Sequence, residues 1–161
     1  MSTEITYRLA RSGEEPEVCA LVTGVFNRFV APDFPQDGVD EFLRYARPDA
    51  LSERSKKDHV VLVAEEKGKL IGVLEVRQYR HVALLFVELQ GRGVARELLK
   101  RAVAHSREQA PEVQAITVHA SRYALPIYQR LGFAATDPER TENGITYTPM
   151  ALPVGGRLTT A

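Results

Sequence analysis

A mixed α/β fold, with a mostly antiparallel central sheet flanked by helices, is what the sequence predicts. Three observations predict it. Three extended runs between His59 and Val87 follow one another through short turns, which makes them antiparallel neighbours. The last of them, Val82-Ala83-Leu84-Leu85-Phe86-Val87, is apolar at every position, as a strand covered on both faces must be. It runs into a glycine-rich turn, a long amphipathic helix and another strand, so the sheet is mixed rather than purely alternating.

Each element has its own signal. Ile5 to Ala10 alternates as a short strand. Gly13 to Val30 reads as a helix, with Pro16 tolerated in its first turn and Val18, Leu21, Val22, Val25, Phe26 and Phe29 at helical spacing. Two prolines and a glycine make Ala31 to Gly38 a loop. Val39 to Ala46 is a short helix, and Pro48 to Asp58 a polar connector. His59 to Glu66 is a strand, closed by a turn at Lys67-Gly68-Lys69. Leu70 to Gln78 alternates, with Leu70, Gly72, Leu74 and Val76 on one face and Ile71, Val73, Glu75 and Arg77 on the other. A tight connection at Tyr79 to His81 leads into the apolar strand. Gln90 opens a helix running to Gln109, where Pro111 marks the end. Ala115 to Ala120 is a strand, Leu125 to Leu131 a helix closed by Gly132, and Ile145 to Leu152 the last strand. The chain is expected to be a single domain over residues 1–161, with an ordered core over 3–152 and a tail over 153–161.

Composition excludes several classes. Lysine plus arginine and aspartate plus glutamate both total 21, so the basic excess of a nucleic-acid binder is missing. The single cysteine, Cys19, forbids an internal disulfide framework. No apolar run approaches the roughly 20 residues of a membrane span. Glu4, Arg8, Arg11, Glu14 and Glu15 break up any signal-peptide core, which makes the cytoplasm the expected location.

The chemistry concentrates after the apolar strand. A glycine-rich turn opening a helix offers successive backbone N–H groups and about half a positive charge to a phosphate. Gly91 and Gly93 would let a phosphate approach the backbone, and Arg92 and Arg96 would add charge-assisted contacts. Taken alone, such glycines serve equally a turn that needs positive φ. A Walker loop would need Gly-Lys-Ser/Thr, which is absent. A dinucleotide fingerprint would need a small residue where Arg96 stands.

A third pattern, Gln/Arg-x-x-Gly-x-Gly/Ala, fits Gln90-Gly91-Arg92-Gly93-Val94-Ala95. Here the chain resembles the GNAT superfamily of N-acetyltransferases. The resemblance continues in Ser121 to Phe133, where Ala124, Tyr128, Gly132 and Phe133 fill the second motif, Ala-x-x-x-Tyr-x-x-x-Gly-Phe. The Tyr-Ala-x-Pro-x-Tyr form is similar to that of one uncharacterised branch. The resemblance spans residues 3–152, including Phe29 to Asp33 and Pro149-Met150.

The resemblance implies a GNAT-like sheet in which Val82–Val87 and Ala115–Ala120 splay apart to bind CoA. It implies that Phe86 and Val87 hold the pantetheine arm, and that Gln90, Gly91, Arg92, Gly93, Val94, Ala95 and Arg96 hold the pyrophosphate. Acetyl-CoA is then the co-substrate, no metal is involved, and the acetyl group goes directly to a primary amine of a small molecule or protein. Tyr128 would contact CoA and protonate its thiolate as general acid. The family's central-strand glutamate is missing, so Glu75 and Glu88 are the candidate bases. Glu75 reads equally as a partner of Arg77, and His81 and His119 as structural histidines that could titrate near neutrality. Two departures stand out. Glu88-Leu89 shortens the connection before the loop, and Ser121 stands where relatives often carry a CoA-contacting asparagine; it reads equally as a helix cap. The acceptor side falls to the early helices and the Ala31 to Asp40 loop. Asp33, Asp37, Asp40 and Glu41 there could attract a cation, or serve as ordinary loop and helix-start acids. The missing carboxylate leaves a second reading, a catalytically weak CoA-binding regulatory module. Neither nucleic acid nor membrane is an expected partner, and a homodimer is compatible with either reading.

Overall fold

A computed structural model describes residues 4–154. Among them are eight strands: β1 (Ile5–Leu9), β2 (His59–Glu66), β3 (Lys69–Arg77), β4 (His81–Val87), β5 (Ala115–Ala120), β6 (Ala134–Ala135), β7 (Arg140–Glu142) and β8 (Ile145–Pro153). The α-helices are α1 (Glu15–Val25), α2 (Gln36–Tyr45), α3 (Pro48–Ser55), α4 (Val94–Gln109) and α5 (Leu125–Arg130). The sheet runs β1-β2-β3-β4-β5-β8-β6, with β7 paired to β8 off that path. Every pairing is antiparallel except that of β4 with β5.

Strand alternation divides the apolar side chains between two faces. Leu62, Ala64, Leu74, Val76 and Val82 pack with Val94, Leu98, Leu99 and Ala102 of α4. Val61, Val63, Val73 and Leu84 pack on the opposite face with Val18, Cys19 and Val22 of α1 and Leu51 of α3. Gly72 lets α4 lie close to the sheet. A Cβ on it would meet Val94 Cγ1 at 2.8 Å and Leu98 Cδ1 at 3.1 Å.

The structure departs from the sequence reading at several elements. The first helix keeps α geometry only to Val25, and Phe26–Val30 continues it as one π-helical turn. The second starts earlier, at Gln36. The polar connector is helical over Pro48–Ser55, because Pro48 suits the first turn and Leu51 anchors the segment in the core. β6 and β7 are too short to carry a periodic signal. The expected tail begins too early: Pro153 closes β8, and Val154 is buried with its N–H on the Gln114 carbonyl at 2.9 Å. Residues 155–161 of that tail lie outside the described residues.

The feature that positions the site is a fork. β4 and β5 pair only at His81↔Thr117 and Val82↔Val118. The β3–β4 register slips between Glu75 and Val76, so Glu75 faces Leu84, Val76 faces Val82, and Ala83 is passed over. Such a bulge bends the strand that holds the extra residue. β4 bends away from β5, and its edge from Ala83 to Val87 faces β5 without a strand partner.

Candidate active site

The fork opens into a cavity of about 380 Å³. β4 contributes Val82, Ala83, Leu85, Phe86 and Val87, and β5 contributes Val118 and His119. Ser121, Ala124, Ile127 and Tyr128 close it on the α5 side. Phe26, Phe34, Phe42 and Tyr45 form the opposite wall.

Backbone direction along β4 follows from one bond. The Glu88 N–H donates to the Ile71 carbonyl at 2.9 Å. Antiparallel ladders alternate, so the backbone groups of Phe86, opposite Val73, belong to the β3 ladder. Those of Leu85 and Val87 point toward the fork. Of the pair expected to hold a pantetheine arm, Val87 therefore presents its main chain, while Phe86 presents its ring.

The loop after β4 is built on left-handed glycines. Gly91 has φ +84° and Gly93 φ +76°, and a Cβ on either would meet nothing within 4 Å, so this face of the loop is open. Gly93 caps α4, no side chain bonds to the cap, and the first intrahelical donor is the Glu97 N–H on the Gly93 carbonyl. The donors of the first turn, at Val94, Ala95 and Arg96, have no partner within the helix. Gln90 and Ala95 line the cavity, while the Val94 side chain is buried beneath Gly72. Arg92 is engaged in a two-pronged pair with Glu66, at 2.9 and 2.6 Å. Arg96 reaches the Arg130 carbonyl at 3.4 Å.

Tyr128 is buried and lines the cavity, with its ring edge-to-face against Phe133 at 5.2 Å. Burial raises its pKa, so the hydroxyl holds its proton through the neutral range. Ser121 Oγ accepts the Ala124 N–H at 3.2 Å, the geometry of a helix-start cap, and the residue also lines the cavity.

Neither Glu75 nor Glu88 is among the cavity-lining residues. Glu75 is completely buried between α3 and the sheet. It accepts from Arg54 at 2.9 and 3.1 Å and lies 2.6 Å from His59 Nδ1; its partner is Arg54 rather than Arg77. Arg54 also caps the Tyr45 ring at 3.5 Å. Burial and the Glu75 charge push the Tyr45 hydroxyl up to about 12. Glu88 borders a separate depression with Lys69 and Arg28.

The register brings two histidines to the floor instead. The His119 ring stacks on Tyr147 at 4.1 Å and meets His81 edge-on at 4.7 Å. His81 Nδ1 lies 2.8 Å from Thr117 Oγ1, and the Tyr147 hydroxyl donates to Glu142 at 2.6 Å. Burial lowers the pKa of His81 to about 4, helped by the charges of His119 and Arg77. Burial and the Arg77 charge also lower His119, against the pull of Glu142. Both rings are neutral at pH 7. Tyr147, Phe42 and Tyr45 carry no local motif. Only the pairing of distant strands and the docking of α2 place them here.

Comparison with known proteins agrees with this geometry. The sequence matches the acetyltransferase (GNAT) domain over residues 30–154. No curated protein matches it. A GCN5-related N-acetyltransferase from Rhodopseudomonas palustris superposes on 95% of this chain and 98% of its own, at 18% identity and a TM-score of 0.79. The PaiA N-acetyltransferase of Thermoplasma acidophilum, solved in complex with coenzyme A, covers 93% and 99%, at 15% identity and 0.77. N-acetylglutamate synthase from Neisseria gonorrhoeae, solved with coenzyme A and N-acetyl-glutamate, matches 97% of this chain and 36% of its own, at 16% identity and 0.69. These structures share the fold.

Proposed function

The chain belongs to the GNAT acetyltransferase family, and from that premise we propose that it moves the acetyl group of acetyl-CoA directly to a primary amine within a ternary complex. The observation that carries the reading is the fork. An unpartnered strand edge can take an extended pantetheine arm as it would take another strand. The adjoining open glycine loop and uncapped helix start suit a pyrophosphate.

An alkylammonium has a pKa near 10.4 and no lone pair, so a proton must leave before attack. The amine nitrogen then bonds to the thioester carbon. Charge develops on the carbonyl oxygen, for which the Val87 N–H is the donor pointing into the fork. As the carbon–sulfur bond breaks, the leaving thiolate takes a proton from Tyr128, and the second proton that the nitrogen sheds as the amide forms restores the phenol. A phenol held protonated by burial is suited to that step.

The proton acceptor we assign is His119 in place of Glu75 and Glu88, which border other parts of the molecule. Its ring reaches the cavity in the neutral form, with His81 and Tyr147 fixing its plane. The test is thiol release from acetyl-CoA with a panel of amines. Turnover that collapses in Tyr128→Phe supports the reading. Stabilisation by CoA without any turnover would replace it with a regulatory CoA-binding module.

A further inference from the structure

The wall opposite α5 is made of rings. Phe26 stacks on Phe42 at 4.0 Å and 12°, Phe34 meets Phe26 edge-on at 5.6 Å, and Phe86 leans on Phe42 at 5.7 Å. Such a wall suits a flat or bulky apolar body.

Charge along the cavity is sparse. Its one carboxylate, Glu41, is engaged by Arg44 from the same helix. The two histidines are neutral. That leaves Arg77, a solvent-exposed residue at the cavity lining whose side chain makes no hydrogen bond or ion pair among the described residues. Arg77 ends β3 directly opposite His81, at the closed end of the fork. Its charge lowers both His81 and His119, at His119 together with Arg140 and against Glu142.

A polycationic acceptor would enter a cavity with no free carboxylate and one uncompensated cation, an arrangement that repels it. An amine that brings its own carboxylate would satisfy Arg77 with a charge-assisted pair. We infer that the acceptor is a primary amine bearing a carboxylate and an aromatic or bulky apolar body, as in an aromatic amino acid, with Arg77 holding the carboxylate against the ring wall. Arg77 is then the specificity residue for the reaction proposed above, on which this inference rests.

Steady-state kinetics on matched amines tests it. Phenylalanine and tryptophan are compared with phenethylamine and tryptamine, which lack only the carboxylate, and with spermidine. The expected result is a preference of about ten- to a hundredfold in kcat/KM for the amino acids. In Arg77→Gln that preference should disappear, through a rise in KM for the amino acids that exceeds any change shared with the decarboxylated amines; Arg77→Lys should restore part of it. Equal or better use of the decarboxylated amines overturns the inference, as does turnover of spermidine or an Arg77→Gln loss shared by every acceptor. Calorimetry with CoA separates the two levels. CoA binding without turnover of the amino acids removes this acceptor class, whereas no CoA binding removes the acetyltransferase reading itself.

Discussion

In the proposed reaction Tyr128 gives a proton and His119 takes one, and each role has a distinct kinetic mark. Tyr128→Phe keeps the ring against Phe133 and removes only the hydroxyl. Turnover should fall on the order of a hundredfold while CoA affinity by calorimetry stays level. Equal losses in both would make Tyr128 a packing residue. His119 is lowered from 6.5, so its proton-accepting form persists below the pH at which an ordinary histidine charges. The acid limb of kcat/KM should therefore lie below pH 6.5 and vanish in His119→Gln. An unchanged limb in that variant would move the base elsewhere. At this scale the sequence is readable where function is local. Gln90 to Ala95 and Ala124 to Phe133 form contiguous motifs, and Gln90, Ala95, Ala124, Ile127 and Tyr128 from them line the cavity. Glu75 is unreadable for the opposite reason. Its partners Arg54 and His59 lie on α3 and β2, and only packing decides that it forms a sealed ion pair.

β1 to β5, β8 and α4 are legible because each carries enough periodic residues to declare its face. α3 is not, since eight largely polar residues cannot hold a helix without the core contact that Leu51 makes. The π turn at Phe26–Val30 also escapes, because its apolar spacing looks helical either way. Two predictions belong to elements. Gly72→Ala puts a methyl group into α4, and should lower stability by about 1–3 kcal/mol in denaturant titration. It should also weaken CoA binding, because the shifted segment carries the anion-facing donors. Along β4, CoA should slow amide exchange at Leu85 and Val87, which face the fork. Leu84 and Phe86, already in the β3 ladder, should change little. Protection at all four alike would mean that CoA stabilises β4 as a whole rather than pairing with its edge.

Across the whole molecule, acid should unfold the protein in two windows. An unfolded His81 charges near pH 6.5 and the folded one only near 4, so stability declines as pH falls between those values. The loss is on the order of 2 kcal/mol. Arg8 holds Glu14 down to about 2 from 4.5; that contribution is complete above 4.5 and lost as pH falls toward 2. Urea midpoints measured against pH should show both declines, the upper one flattened in His81→Gln. An upper window that persists in that variant would assign it to another group. Fold class was readable at this scale, since three successive strands and one crossover leave few arrangements. The joining of β5 to β8 was not, because it depends on a pairing distant in sequence, and the divergence of β4 from β5 was legible only through the family resemblance. That divergence also bears on solubility. An exposed strand edge invites other chains to add themselves and start aggregates. Here the open edge of β4 looks inward at β5, beneath α5 and the phenylalanine wall, so a foreign β-ribbon has no straight approach. The protein can keep a vacant place in its sheet for a slender ligand while denying it to its neighbours in a crowded cell.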